Sequence, residues 1–141
     1  MSEIVHAERA PKPVGAYPHA RRVGNLLFLS GVGPRDPVNN EIPGNIFDAA
    51  GKLIGYDIAL QCHTVFANVR TILKASGARW EDLVDVTVFL TDMARDFAVY
   101  NQIYAEYFAA AQPCRTTLGI SALPTPIAIE LKCIAAIAEG R

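Results

Sequence analysis

The chain has 141 residues, of which 51% are hydrophobic and 19% charged, and its formal net charge is −1. That length suits a single domain, which we expect to span 1–141. The high apolar content excludes an intrinsically disordered chain. Because 13 basic residues are balanced by 14 acidic ones, the composition argues against a general nucleic-acid-binding protein, which needs a basic surface.

The N-terminal segment and the spacing of metal-binding residue types argue against several other classes. Residues 1–13 lack the apolar run of a secretory signal, and no stretch approaches the ~18 apolar residues of a membrane span. We therefore expect a cytoplasmic protein without a membrane partner. The cysteines show no CxxC spacing and the histidines no HxxxH spacing, so neither a metal site nor a disulfide framework is expected. The sequence contains no Walker loop and no GxGxxG motif, so a nucleotide cofactor is not expected.

The first half of the chain contains one predicted strand and one predicted helix. An apolar run ending in glycines predicts a strand over 22–32. Prolines, asparagines and glycines mark a turn-rich excursion over 34–55, with one short edge strand at 52–54. Apolar residues at helical spacing then predict a helix over 57–76, and Gly77 supplies its C-terminal stop.

The second half is richer in strands. A run of β-branched residues predicts a strand over 83–91. A second helix is predicted over 97–111, with Asp96 as its N-cap and a broad face of aromatic side chains. Two more strands are expected at 115–121 and 127–138. This order indicates an α/β or α+β fold in which two helices cover one face of a β-sheet.

Both faces of the predicted sheet carry apolar side chains. In the last strand Leu131 lies on one face, whereas Ile134 and Ala136 lie on the other, because successive side chains alternate. Two helices can cover only one face, and a bare second face would exceed the few hundred Å² of apolar patch usual for monomers. We therefore predict an oligomer that buries the second face.

Polar residues of the predicted strands are candidates for chemistry. Ser30, Glu130 and Lys132 lie on the second face, and a glutamate is rarely buried unless it is paired or functional. Arg115 begins a strand, and arginine suits bidentate binding of a carboxylate. A surface or interface ion pair would use the same residues, so both interpretations stay open. Cys114 beside Arg115 would suit a thiol nucleophile, but no histidine is placed to support it.

Five segments carry a resemblance to a known family: GAYPHARRVGNLLFLSG (15–31), VDVTVFLTDMARDF (84–97), YNQIYAEYF (100–108), PCRTTLGISALP (113–124) and AIELKCIAAIA (128–138). With its Pro-x-Arg-[Ser/Thr] element followed by an Ile-Glu-Leu strand, the chain resembles the RidA, or YjgF-like, family over nearly its whole length. The resemblance implies a chorismate-mutase-like fold, with a mixed β-sheet and two helices on one face. It also implies a homotrimer whose active sites lie in clefts between subunits.

The resemblance further implies a reaction and the residues that perform it. The deaminase branch of the family hydrolyses enamines and imines of small carboxylic acids without a cofactor or metal. Arg115 stands where the family's arginine holds the substrate carboxylate, and Glu130 where its glutamate positions or activates water. Thr117 stands where the family often has a cysteine that acts through its backbone. The residues at the other cleft-lining positions are Tyr17, Ser30 and Asn101.

The stretch Tyr-Pro-His-Ala-Arg-Arg at 17–22 is similar to 2-aminomuconate deaminases of aromatic-degradation pathways. These enzymes convert an unsaturated diacid enamine into 4-oxalocrotonate and ammonia, and a diacid needs a second cationic contact. The candidates for that contact are His19, Arg21, Arg22 and Arg35. The alternative for Arg21 and Arg22 is a pair of solvated charges at a strand edge.

Three other functions remain open at this stage. A broad-specificity 2-imino acid deaminase, acting on products such as 2-iminopropionate, would not need the extra cations. A non-catalytic regulatory protein would bind small acids in the same clefts, although the retention of Arg115 and Glu130 argues against it. An RNA-acting protein is disfavoured by the near-neutral charge and by the lack of a basic run interleaved with aromatics.

Overall fold

A computed structural model describes residues 2–139, in which eight strands and two helices are defined. The strands are β1 (Ser2–Val5), β2 (Ala20–Val23), β3 (Leu26–Leu29), β4 (Ile46–Phe47), β5 (Leu53–Gly55), β6 (Leu83–Leu90), β7 (Cys114–Gly119) and β8 (Ile129–Ala136). The helices are α1 (Ile58–Ala75) and α2 (Met93–Phe108), and a short 3-10 turn covers Trp80–Asp82. Within this part of the chain no helix is both long and apolar enough to cross a membrane.

The large sheet has the strand order β1-β2-β3-β8-β6-β7, and β4 pairs with β5 in a separate ribbon. Neighbouring strands of the large sheet are antiparallel except β6 and β7, which run parallel. The parallel pair follows from the chain order, because α2 crosses over between these strands and returns the chain in the same direction. The mixed sheet with both helices on one face is therefore confirmed.

Helix α1 lies where the apolar spacing predicts it and fills the centre of the core. Asp57 caps its N-terminus, because its side chain accepts a hydrogen bond from the Leu60 amide at 3.1 Å. The buried stripe of the helix includes Cys62, Val65 and Val69, which are fully shielded from solvent. This stripe packs against the inward-facing side chains of β8.

A buried polar side chain of α1 fixes the loop that follows β3. Asn68 Nδ2 donates to the carbonyl oxygens of Gly33 and Arg35, at 2.9 and 2.8 Å. A buried amide needs such partners, because an unsatisfied donor in the core is costly. The backbone at 33–35 is consequently anchored to the helix, which orients the side chains of this loop.

The single strand expected at 22–32 is instead the hairpin of β2 and β3. Val23 pairs with Leu26, so the turn consists of Gly24 and Asn25. Gly24 has a φ of +63°, which suits the first position of a two-residue hairpin turn. Strand β1, which the sequence expectations lack, extends the sheet beyond β2.

Helix α2 begins earlier than expected, and Asp96 is not its N-cap. Asp92 caps the helix by accepting a hydrogen bond from the Arg95 amide at 3.0 Å. Asp96 lies fully buried in the first turn, where its Oδ2 accepts a hydrogen bond from the Tyr56 hydroxyl at 2.6 Å. Both aspartates could cap a helix by the same hydrogen bond. The hydrogen bond from Tyr56, which is distant in sequence, accompanies the burial of Asp96, and Asp92 acts as the cap.

The sheet face opposite the helices, which we call the open face, is uncovered in a single chain. Leu26 and Phe28 are 38% and 36% exposed on it. Phe28 pairs with Ile134, and Ile134 pairs with Asp85, so apolar and polar side chains share this face. The apolar character expected for the second face is thus present on the neighbouring strands β3 and β8.

Candidate active site

Arg115 lies on the edge strand β7, on the side of the sheet that carries the helices. It pairs with Val86, whose buried side chain points toward the helices, and lateral neighbours in a sheet point to the same face. Its NH1 donates to Asn101 Oδ1 on α2 at 2.8 Å. Its Cζ lies 4.7 Å from the ring centroid of Tyr104 and 5.5 Å from that of Tyr100. The cation is thus held against aromatic rings while the residue remains exposed to solvent.

Thr117 and Tyr100 form a hydroxyl pair beside this arginine. Their oxygen atoms lie 2.9 Å apart, and Tyr100 is fully buried. Burial raises the pKa of the Tyr100 phenol, although Thr117 and Arg115 act against that rise, so the hydroxyl stays protonated at neutral pH. At the position where the family often has a cysteine, Thr117 therefore has a side-chain partner of its own.

Tyr100 and Tyr104 belong to the aromatic face expected for the second helix and are not among the predicted site residues. Their helical spacing marks a buried aromatic face, and Tyr104 does stack on Phe108, with ring centroids 4.1 Å apart. The sequence also contains a sign of their second role, because both lie on the turn of α2 that carries Asn101. We call Arg115, Asn101, Thr117 and these two tyrosines the arginine half of the site.

Glu130 lies on β8 and points to the open face. It pairs with Phe89, and its neighbours Ile129 and Leu131 are fully buried on the helix side. A Cβ added at Gly31 would lie only 2.9 Å from Glu130 Oε2, so the carboxylate rests directly against the glycine backbone. Burial raises the pKa of the Glu130 carboxyl group. No side chain within residues 2–139 forms an ion pair with it.

Tyr17 and Ser30 lie near Gly31, along one cleft that Gly33 and Arg35 also line. The Ser30 hydroxyl donates to the Pro18 carbonyl at 2.6 Å. The Tyr17 hydroxyl accepts a hydrogen bond from the amide that follows Pro13, at 3.2 Å, and the residue is 40% exposed. We call Glu130, Gly31, Tyr17, Ser30 and Arg35 the glutamate half of the site.

Lys132 shares the open face with Glu130 but turns toward the backbone. Its Nζ donates to the Leu29 carbonyl oxygen. Burial lowers the pKa of this ammonium group. The lysine therefore stands near the glutamate half without neutralising its carboxylate.

His19 is buried and both of its ring nitrogens are engaged by backbone groups. Nδ1 accepts a hydrogen bond from the Ala7 amide at 3.0 Å, so the ring proton resides on Nε2, which donates to the Pro11 carbonyl at 2.7 Å. This neutral imidazole holds the N-terminal segment against the hairpin. The structure therefore offers no support for His19 as a cationic contact for a substrate.

Arg21 and Arg22 lie on β2, and neither lines the cleft of Tyr17 and Ser30. Arg21 points to the open face opposite Phe28, where its Nε and NH2 atoms donate to the Ser2 hydroxyl at 2.9 and 2.6 Å. Arg22 Nε donates to the carbonyl oxygen of the hairpin glycine at 3.0 Å. The two arginines therefore lie on an interior strand of the sheet, bonded to Ser2 and to the hairpin turn, and outside the cleft.

The two halves of the site lie on opposite faces of the sheet within one chain. Glu130 aligns with Phe89 and then with Leu118 across β6 and β7. Arg115 precedes Leu118 by three positions on β7, which corresponds to about 10 Å along the strand and two strand spacings of ~4.8 Å across it. Because the side chains also point to opposite faces, Arg115 and Glu130 of one chain cannot contact the same small substrate.

The described residues contain no group of three or more His, Cys, Asp or Glu side chains placed to hold a metal ion. Cys62 and Cys133 are buried, and burial raises the pKa of each thiol to about 12, which makes both poor nucleophiles. Cys114 is exposed at the start of β7.

Comparison with known proteins gives a consistent match over the whole fold. Residues 7–137 match the model of a family described as Endoribonuclease L-PSP. A RutC family protein of Pyrococcus horikoshii is 39% identical over 135 residues, which cover 96% of this chain and 98% of that protein. Reactive Intermediate Deaminase A, chloroplastic, of Arabidopsis thaliana is 38% identical over 96% of this chain and 66% of that protein.

Solved structures give the same result. The crystal structure of E. coli TdcF with bound serine superposes with a TM-score of 0.83 at 29% identity, covering 96% of this chain and 99% of that one. The YJGF gene product from E. coli superposes with a TM-score of 0.81 at 30% identity, covering 95% and 98% of the two chains.

Proposed function

This chain belongs to the endoribonuclease L-PSP family, also known as the RidA or YjgF-like family, and on that premise we propose that it is a cofactor-free hydrolytic deaminase of enamine and imine acids. The observation that carries this proposal is the presence of an exposed arginine held by Asn101 together with a partly buried glutamate that has no ion-pair partner among residues 2–139. A relative named as a reactive intermediate deaminase supports the same reaction class.

Arg115 is proposed to hold the carboxylate next to the reacting carbon. Asn101 and the two tyrosine rings fix the guanidinium plane, so its remaining N–H donors can meet both oxygens of a carboxylate. Fixing the acid in this way orients the adjacent imine carbon for attack, which is a positioning effect.

Glu130 is proposed to act on the water molecule. The enamine tautomerises to the imine, and Glu130 accepts a proton from water as the oxygen bonds to the imine carbon. Glu130 returns this proton to the nitrogen, which gives the carbinolamine. As the C–N bond breaks, the hydroxyl proton moves through Glu130 to the nitrogen, ammonia leaves and the carbonyl product remains. A carboxyl pKa raised by burial suits a group that must accept and then return a proton.

We propose that each complete site forms between two subunits of a homotrimer. The opposite orientations of Arg115 and Glu130 support this arrangement. The neighbouring chain would present its exposed β7 edge to the open face, so that its arginine half meets the glutamate half. A ring of three subunits with cyclic symmetry repeats this contact three times.

Subunit mixing tests the reaction and the arrangement together. Arg115→Ala and Glu130→Gln are each expected to be inactive as pure proteins. When the two are unfolded, mixed equally and refolded, about a quarter of the sites regain both residues, because each site draws independently on two subunits. Restored ammonia release at about that level supports inter-subunit sites. Two inactive variants that stay inactive after mixing would contradict them.

The finer proposal concerns the substrate, and 2-aminomuconate is our first candidate. The similarity of the stretch at 17–22 to 2-aminomuconate deaminases and the presence of Arg35 in the cleft carry this proposal, since a diacid enamine needs more cationic contacts than a monoacid. Ammonia release from 2-aminomuconate and from 2-iminopropionate should be compared at equal enzyme concentration. A higher kcat/KM on the diacid is expected, and equal values would favour a broad 2-imino acid deaminase.

The description of the family also names an endoribonuclease, so RNA cleavage is the rival function. We favour deamination because the formal net charge is −1, whereas binding of RNA phosphates requires a basic surface. A ribonuclease assay on the wild type, Arg115→Ala and Glu130→Gln decides between them. RNA cleavage that both substitutions abolish would support the rival function.

A further inference from the structure

Arg35 follows β3 and places its guanidinium beside the glutamate half of the site. It lines the same cleft as Tyr17, Ser30 and Gly31, and Gly31 is the residue against which the Glu130 carboxylate rests. Its side chain is half-buried. A positively charged residue therefore lines the cleft whose Gly31 is in contact with the proposed catalytic carboxylate.

The partners of Arg35 hold it in position without neutralising it. NH1 donates to Asn40 Oδ1 at 3.1 Å, and NH2 donates to the Lys12 carbonyl oxygen. Both acceptors are uncharged, and no carboxylate within residues 2–139 lies at ion-pair distance from this guanidinium. Arginine has five N–H donors, so several remain for a further acceptor. A partly desolvated cation with neutral partners favours an anionic ligand.

The backbone beneath Arg35 is rigid. Asn68 donates to its carbonyl oxygen and to that of Gly33, which ties the loop to the buried side of α1. This anchoring matters because a charged side chain selects a ligand only if its own position is fixed.

The other candidate cations are occupied elsewhere. His19 is neutral and engaged at both ring nitrogens, and Arg21 binds Ser2 on the outer part of the open face. Arg22 belongs to β2 and bonds to the hairpin turn. Of these candidates, Arg35 is the one that lines the cleft as a cation.

We propose that Arg35 binds the second carboxylate of a dicarboxylate substrate, which makes it the residue that selects diacid over monoacid enamines. This role rests on the proposed deaminase function. Arg115 of the adjacent subunit would hold the carboxylate beside the reacting carbon, and Arg35 the distal one.

A matched pair of unreactive acids tests the proposal without turnover. Muconate in its trans,trans form and sorbate share the same diene acid, and sorbate has a methyl group in place of the second carboxylate. Calorimetric titration of the wild-type protein should show muconate binding about 10- to 100-fold tighter than sorbate, as expected for a charge-assisted contact. Arg35→Gln should remove this preference and leave sorbate binding within about 2-fold.

The variant Arg35→Lys distinguishes the effect of the positive charge from that of the guanidinium hydrogen bonds to Lys12 and Asn40. The lysine keeps the positive charge but not the planar fork, so it should retain part of the preference for muconate. Arg70→Gln removes a positive charge on an exposed position of α1 and serves as the matched control, with an unchanged preference.

Two results would overturn the role of Arg35. One is a wild-type protein that binds muconate no tighter than sorbate, and the other is an Arg35→Gln variant that keeps the preference. Failure of the deaminase proposal has a different signature, because ammonia release would then be absent for diacid and monoacid alike, whatever the two binding constants.

Discussion

Glu130 is the proposed general base, and its partly buried charge is expected to lower the stability of the fold. Its carboxylate is partly buried without an ion-pair partner, so the amide of Glu130→Gln should fit the same space without the desolvation of a charge. We expect turnover to fall by about 10²- to 10⁴-fold, as for loss of a general base. The melting temperature at neutral pH should stay the same or rise. A variant that loses activity because it unfolds would contradict this account.

The pH dependence of the proposed deaminase reaction should reflect the same carboxyl group. A general base acts when deprotonated, so kcat/KM is expected to rise with pH through the Glu130 pKa, which burial places above the usual glutamate value. The stability effect has the opposite sign. A pKa raised in the folded state means that the free energy of unfolding decreases as pH rises from the ordinary glutamate range through the raised value. Glu130→Gln should remove that decrease, which chemical denaturation at several pH values can measure.

Tyr104 is predicted to act through its ring and not through its hydroxyl. The hydroxyl is buried without a hydrogen-bond partner among the described residues, so Tyr104→Phe should leave activity and stability nearly unchanged. Tyr104→Leu keeps an apolar side chain but removes the aromatic face under Arg115. A KM increase of about 2- to 30-fold with a smaller change in kcat is expected from the lost cation–π contact. Equal kinetics for the two variants would show that Arg115 needs no aromatic support.

Any replacement of Arg115 should strongly reduce kcat/KM, whichever substrate is used. Arg115→Ala removes a charge-assisted contact, and a loss of about 2–5 kcal/mol corresponds to roughly 30- to 5,000-fold in kcat/KM. Arg115→Lys should also fail, because an ammonium group does not reproduce the bidentate fork or the stacking on tyrosine. Steady-state kinetics on a diacid and a monoacid test both statements, and an active Arg115→Ala enzyme would remove the core of the mechanism.

At the scale of the elements, the link between Tyr56 and Asp96 ties the segment before α1 to the first turn of α2. Tyr56→Phe leaves the Asp96 carboxylate fully buried without its short hydrogen bond. The free energy of unfolding should fall by about 1–3 kcal/mol. Tyr107→Phe is the matched control, since its hydroxyl bonds to the exposed His63 and its loss should cost less. Urea unfolding of the two variants gives the comparison.

The helices and central strands could be predicted because their local patterns agree with their tertiary surroundings. Helix α1 has an N-cap at Asp57 and an apolar stripe, and β8 alternates between buried and partly buried side chains. The start of α2 could not be predicted, because Asp92 and Asp96 are equivalent as caps until the contact with Tyr56 is known. The hairpin at Gly24 could not be distinguished from a single strand, because Val23 before the turn and the apolar run at 26–29 after it both favour β-structure.

The residues of the candidate site could be named from the family motifs, but their arrangement could not. The opposite orientations of Arg115 and Glu130 depend on the register of β7 against β6, which the length of the α2 crossover sets. The choice of Arg35 over His19 depends on the contact of Arg35 with Lys12, which is 23 positions away in sequence, and on that of His19 with Pro11, which is 8 positions away. Such long-range contacts leave no periodic trace in the chain.

At the scale of the whole molecule, the open face is expected to be the main assembly surface. Phe28→Asp places a charge among its apolar side chains and should convert the proposed trimer into monomers without ammonia-releasing activity. Val38→Asp is the control, because Val38 is 92% exposed in a loop and outside the sheet. Light scattering should show a trimer for the control and the wild type. A trimeric, active Phe28→Asp protein would place the interface elsewhere.

The uncovered sheet face also governs how activity returns after denaturation. In the proposed trimer, a neighbouring subunit covers Phe28 and supplies the arginine half that completes the site of Glu130. A chain that has only folded its own core lacks both, so folding and recovery of turnover are expected to be separate events. Secondary structure should return at a rate independent of dilution, whereas catalysis should follow with a lag that lengthens as the protein is diluted, because association is bimolecular. During that lag the exposed apolar rows make the monomer prone to aggregation, so an intermediate protein concentration should give the highest yield of active enzyme.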